Sequence, residues 1–178
     1  YKDQSTQIIV PRLMLRYAPG HMRDLKTGST LDYTDTLFNI VPLEEQDVIG
    51  RGLSTHLGIE YEKNLLNEDK TPGSKKITFK VGQIIHAEED MDKPAESSLD
   101  QRFSDVVGES SFALTDNLNL DYNFNLDQNY KDFVQHEISS DLIAGPAKFN
   151  VSYLEQKEHI GIKNYISTEV GLDLNNTE

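Results

Sequence analysis

The chain contains no cysteine, which excludes disulfide frameworks, thiolate zinc sites and cysteine nucleophiles. No apolar run approaches the ~18 residues that a spanning helix needs, and the mean hydropathy is −0.55. A helical membrane protein is therefore excluded. Basic residues are scarce, 17 against 30 acidic ones, for a net charge of −13. Phosphate neutralisation needs clustered Lys and Arg, so nucleic acid is not an expected partner. The length of 178 residues suits one domain or a piece of a larger one. Tyr1 is no initiator and opens no leader, and the chain stops at Glu178 straight after an apparent strand. The expectation is a single segment, 1–178, of a longer protein, whose missing targeting signals say nothing about compartment.

What is abundant is period-two alternation. Leu118, Leu120, Tyr122, Phe124 and Leu126 interleave with Asn119, Asp121, Asn123, Asn125 and Asp127. Successive strand side chains point to opposite faces, so this stretch has one apolar and one polar face. A helix would place Leu118 and Leu120 about 200° apart and scatter the apolar set. The same rhythm recurs at Leu13–Tyr17, Leu53–Tyr61, Ile77–Ile85, Phe149–Tyr153 and Ile166–Leu174, and more weakly over 105–114 and 133–143. The fold expected is all-β, an antiparallel up-and-down meander of about eight long strands, with no helix. Tight joins at Thr115–Asn117 and Ala144–Pro146, and a looser one over 62–75, alternate with long ones at 18–49 and 87–104. Outer-membrane barrels gather their long loops at one end in this way.

Alternation does not say which face is inside. Three features point the apolar face at lipid: strand lengths that match a tilted crossing, polar faces of Asn, Asp, Glu, Lys and Gly, and aromatics near strand ends (Tyr17, Tyr61, Phe112, Phe133, Tyr165) where an interfacial girdle would lie. On that reading a lumenal wall carries Glu60, Lys80, Asn119, Asp121, Asn123, Asn125, Asp127, Lys148, Glu169 and Asp173. The lipid side carries Leu57, Ile59, Phe79, Val81, Leu120, Tyr122, Phe124, Val151, Val170 and Leu172. His136 is the misfit, because it shares the apolar face with Val134, Ile138 and Leu142.

Motifs for covalent chemistry are missing. The five histidines (His21, His56, His86, His136, His159) have no metal-ligand spacing, no Gly-x-Ser-x-Gly occurs, and Gly50-Arg51-Gly52 is too short to cradle a phosphate. The expectation is a non-enzyme with no cofactor and no metal site. The densest charge, Glu88–Lys93, reads either as a solvated loop or as carboxylates that bind Ca²⁺ or Mg²⁺.

Several stretches resemble a known family in order and spacing. These are Pro11–Pro19, Leu37-Phe38-Asn39-Ile40, Asp47–Leu53, Val81-Gly82-Gln83-Ile84-Ile85-His86 and Ser104–Glu109. Together they resemble the C-terminal barrel of the LPS-assembly outer-membrane proteins, the LptD family (also called OstA or Imp). The resemblance implies part of a very large barrel in the Gram-negative outer membrane that delivers lipopolysaccharide to the outer leaflet. It also implies an LptE-like lipoprotein plug, periplasmic Lpt bridge proteins and outer-membrane lipid as partners. No family functional residue transfers onto a numbered position here. The competing class is a soluble lipocalin-like or sandwich-like β-sheet module that holds an apolar ligand, since eight strands can also close a small barrel.

Overall fold

The structure, a computed structural model, describes residues 5–20, 30–40, 51–66 and 72–173. The Asp47–Gly50 part of the family-like stretch, the turn formers at 67–71, His21 and Leu174 lie outside the described residues. Eight strands form one antiparallel sheet in sequence order. They are β1 (Ser5–Ala18), β2 (Gly52–Leu66), β3 (Pro72–His86), β4 (Val106–Thr115), β5 (Leu118–Leu126), β6 (Phe133–Ala144), β7 (Ala147–Gln156) and β8 (Lys163–Leu172). Every strand pairs with the next, and the sheet does not close: β1 and β8 are its edges.

The alternating stretches all become strands, and β1 to β3 run longer than their clean alternation. β2 and β3 grow into the expected 62–75 join and reduce it to 67–71. The connections at that end are then 67–71, 116–117 and 145–146, while those at the opposite end are 19–51, 87–105, 127–132 and 157–162. Long and short joins are thus fully segregated between the two ends of the sheet.

The absence of helix holds for the scaffold and fails in the loops. Tyr33–Leu37 makes one wide helical turn capped by Asp32, whose carboxylate accepts from the Asp35 and Thr36 amides. Ala95–Ser97 and Glu158–Ile160 make short 3-10 turns.

Register sorts the side chains into two unlike faces. One face carries Leu13, Leu15 and Tyr17 of β1, Leu57 and Ile59 of β2, Phe79 and Val81 of β3, and Leu120, Tyr122 and Phe124 of β5. Ile138 and Leu142 of β6, Phe149 and Val151 of β7, and Val170 and Leu172 of β8 complete it. This face is bare over most of its extent: Leu15 is 70% and Ile166 72% exposed. The buried apolar cluster of Leu31, Tyr33, Leu37, Ile84, Leu99 and Val107 belongs to the other face, where the long connections fold back over the sheet. A lipocalin-like closed barrel with a dry apolar centre is therefore not what the described residues form. Tyr165, expected in an aromatic girdle, pairs with Leu154 on the polar face, because its odd number puts it in step with Ser167 and Glu169.

Two edge strands that pair on one side only among the described residues, and a bare apolar face, are both invitations to associate. The isolated chain in plain buffer is expected to run as heterogeneous oligomers in sedimentation velocity. A monodisperse monomer with a sharp thermal transition would contradict that expectation.

Candidate functional site

The polar face is built in rungs, because each strand contributes every second residue and antiparallel register lines them up. One rung reads Glu60, Lys80, Glu109, Asn123, Glu137 from β2 to β6. The next holds Thr78, Ser111, Asp121, Ser139, Ser152 and Ser167. A third holds Lys76, Ala113, Asn119, Asp141, Asn150 and Glu169, and Lys148 sits beyond it opposite Gly171. Eight of the ten expected wall residues thus share this face. Asp127 and Asp173 fall just past the ends of β5 and β8.

Charged and amide side chains pair within a rung and between neighbouring rungs. Lys80 Nζ lies 3.2 Å from Glu109 Oε2, Arg12 Nε 2.7 Å from Glu60 Oε1, and the Asn119 amide donates to Asp121 at 2.6 Å.

One rung is different. Gly58 and Gly82 face each other across β2 and β3, and here the sheet has no side chains to hold a neighbour off. Segment 30–40 lies on this flat spot. A Cβ built on Gly82 would sit 2.3 Å from Leu37 Cδ2, and one on Gly58 would sit 2.8 Å from the Phe38 ring and Tyr33 Oη. Polar groups around the spot then take up the segment's backbone and hydroxyls. The Thr34 amide and hydroxyl donate to the two Glu109 oxygens at 2.7 and 2.6 Å. Asn125 donates to Leu31 O at 2.9 Å, His56 Nδ1 donates to Leu37 O, and Tyr33 donates to Glu60 at 3.2 Å. Burial and the Glu60 carboxylate push the Tyr33 hydroxyl pKa up, and burial raises that of Asp32.

Beside the docked segment lies a cleft of about 630 Å³ with Asn123, Asn125, Gln135 and Glu137 on its floor and Glu109, Lys163 and Tyr165 around it. Amides, carboxylates, an ammonium and a phenol ring there provide hydrogen-bond donors and acceptors with one flat apolar surface. Nothing among them is arranged as a nucleophile with its base.

The acidic run of the β3–β4 connection is only partly a solvated loop. Glu88 and Glu89 are exposed, but Asp90 is buried and takes the Arg51 guanidinium at 3.1 Å, with Asp92 adding a second contact at 3.2 Å. The hydrogen bond from Arg51 to Asp90 holds the guanidinium pKa up. Lys93 turns inward, and burial lowers its pKa. These residues fasten the loop to the start of β2, so neither the solvated reading nor a free cation-binding run describes them.

On the apolar face His136 finds a local solution. Its Nδ1 lies 2.7 Å from Tyr122 Oη, and its ring packs among Tyr122 and Phe133, which with Phe124 form one aromatic cluster. The Phe124 ring covers Gly108 in the neighbouring strand.

The alternation of the sequence indicated none of Gly58, Gly82, Glu109 or His159 as site residues. The two glycines did leave a signal, since a glycine inside a strand marks a bulge or the close approach of another segment.

No curated protein matches the chain. Residues 1–173 match the family LptD, described as LPS transport system D. The match covers nearly the whole sequence and agrees with an open eight-stranded antiparallel meander. The chain belongs to the LptD family, whose members are transport and assembly proteins rather than known enzymes, and its role lies in lipopolysaccharide transport and assembly.

Proposed function

We propose that this chain is a segment of wall in an outer-membrane barrel that inserts lipopolysaccharide into the outer leaflet, with its polar rungs toward the bore and its apolar face in lipid. The observation that carries the reading is the division of labour between the faces. Leucines, valines and aromatics stand bare on one side, while the long loops fold onto the other. In water the first arrangement exposes a large contiguous apolar surface, which soluble monomers rarely tolerate. In a bilayer it is what the solvent demands. Strands of 9 to 15 residues are long enough to cross. The end that bears 19–51 and 87–105 then faces the cell surface, by the usual asymmetry of these barrels.

The mechanism needs no covalent chemistry. Sugar hydroxyls of the glycolipid exchange water for the amides and acids of the rungs and cleft, and the acyl chains stay in apolar surroundings. Glu60, Lys80, Asn119, Asp121, Asn123, Asn125, Lys148 and Glu169 would line that route, with Asp127 and Asp173 at its two rims. An LptE-like plug and the periplasmic Lpt bridge would be the protein partners, the plug meeting the same rungs.

A photo-crosslinking residue placed in the complete protein tests this in living cells. At Glu137 or Asn150 it is expected to yield adducts with lipopolysaccharide that disappear when supply from the periplasm is cut. At Val151, on the opposite face, adducts should be with bulk lipid and independent of supply. Supply-dependent adducts at Val151 and none at Glu137 would reverse the assignment of faces.

A further inference from the structure

At the long-loop end, three connections that are distant in sequence bring together two carboxylates and an imidazole. Asp105 closes the β3–β4 connection, Asp127 opens the β5–β6 connection, and His159 sits in the turn between β7 and β8. One ligand atom from each lies within 4.8 Å of the other two.

Each residue is held in place by its backbone. The Asp105 amide donates to Ser98 Oγ and its carbonyl accepts from Ser104 Oγ. Asp127 is fixed in a turn by bonds from its own amide to Asp132 O and from the Tyr130 amide to its carbonyl. The turn Glu158–Ile160 is closed by the Gly161 amide and anchored by buried Ile160.

Asp105 is the informative member. Its side chain is 1% exposed, and Oδ2 takes His159 Nε2 at 2.8 Å. Its other oxygen, Oδ1, is buried with no hydrogen-bond partner among the described residues. A buried carboxylate oxygen without a donor is costly, and a salt bridge to His159 through Oδ2 leaves that cost in place. Asp127 adds a second underused carboxylate, because both Asn129 donors fall on its Oδ2. Since Asp127 and His159 are only half-buried, the cluster is open to water on one side.

We propose that Asp105, Asp127 and His159 form a divalent-cation site that ties these three connections together at the mouth of the barrel, and that the cation is of the zinc class. An imidazole ligand selects first-row transition metals over Mg²⁺ and Ca²⁺, which take all-oxygen shells. Two carboxylates complete a three-residue set, and water supplies the remaining position from the open side. In the loaded site His159 Nε2 gives up its proton to bind the metal, so the cation replaces the N–H that now points at Asp105. The site has no counterpart in local sequence spacing, because its ligands come from three different loops.

The test uses the complete protein in detergent, stripped with EDTA and titrated with ZnCl₂ by calorimetry and with Co²⁺ by visible absorption. Asp127→Asn is the decisive variant. It spares the His159–Asp105 contact, and its amide oxygen still accepts from Asn129, so folding should be preserved. The expected result is a zinc equivalent that Asp127→Asn and His159→Gln each weaken by at least about tenfold. Loss of the matching Co²⁺ d–d bands should accompany it, with Glu89→Gln behaving as wild type. Zinc binding unchanged by Asp127→Asn, no zinc equivalent in the unsubstituted protein, or Mg²⁺ binding as tightly as zinc would each overturn the proposal.

Discussion

Lysine in place of Val151 is expected to keep the protein out of the bilayer, while lysine in place of its neighbour Ser152 is expected to be accepted. The two residues are adjacent on β7 and point to opposite faces. Val151 sits at the middle of its strand between Ser140 and Thr168 and is 47% exposed, so the substitution removes no core packing. What changes is solvation. A cation at the midplane of the lipid face costs about 2–4 kcal/mol, a factor of about 30 to 700 in the folding equilibrium. Ser152 lies in the serine-rich rung between Ser139 and Ser167, where a lysine stays among polar side chains and hydrated. Refolding of the complete protein into vesicles across a urea series reads the difference directly. Leu172→Lys, at the last residue of β8, should fall between the two, because the penalty declines to about 0–1 kcal/mol near the interface. Equal refolding of Val151→Lys and Ser152→Lys would mean that the apolar face does not meet hydrocarbon.

The strands were legible because each one carries its own evidence. In Leu118–Leu126 every second residue is apolar, and no distant contact is needed to fix such a pattern as a half-apolar strand. The pairing order followed from the short joins at 116–117 and 145–146, and the faces followed from parity. Parity also explains the failure at Tyr165: reading it as an aromatic near a strand end ignored the odd-numbered set to which it belongs. The loops were illegible for a different reason. Leu31, Leu37 and Leu99 look like stray apolar residues in polar stretches until they join Ile84 and Val107 in one buried cluster, with Leu37 over Gly82. Likewise Asp90 reads as one more acid in a charged run, and only the fold reveals the Arg51 guanidinium beside it. Asp105, Asp127 and His159 meet solely because meander topology returns three connections to one end. Local pattern determines the elements; the contents of the site depend on which loops share an end.

Filling the glycine spot should undo the docking of segment 30–40, in a graded way that separates cause from coincidence. Three glycines on the same polar face form the series. A Cβ at Gly171 would meet only Lys148 Cβ at 3.8 Å, an ordinary contact. At Gly58 it would press on the tips of Phe38 and Tyr33 at 2.8 Å, which can swing aside. At Gly82 it would meet Leu37 Cδ2 at 2.3 Å and also the Leu57 carbonyl oxygen at 2.5 Å, and backbone in a paired strand has nowhere to go. Gly171→Ala is therefore expected to be neutral and Gly58→Ala mildly disruptive. Gly82→Val should cost about 1–3 kcal/mol as overpacking, and it should also displace Leu37 from the cluster that Leu31, Tyr33 and Ile84 complete. Amide exchange across 30–40 in the detergent-solubilised protein should rise in that order, most sharply at Thr34, whose amide is held by Glu109. The strand amides of β6 and β7, which the segment does not organise, should keep their protection. If Gly82→Val and Gly171→Ala protected the segment equally, the flat spot would be incidental and Glu109, His56 and Asn125 would hold the segment by hydrogen bonds alone. Because a segment lying on the polar face occupies room that a passing glycolipid would need, the same series bears on transport. If docking narrows the bore, Gly82→Val should widen it, and single-channel conductance of the variant should exceed that of Gly171→Ala.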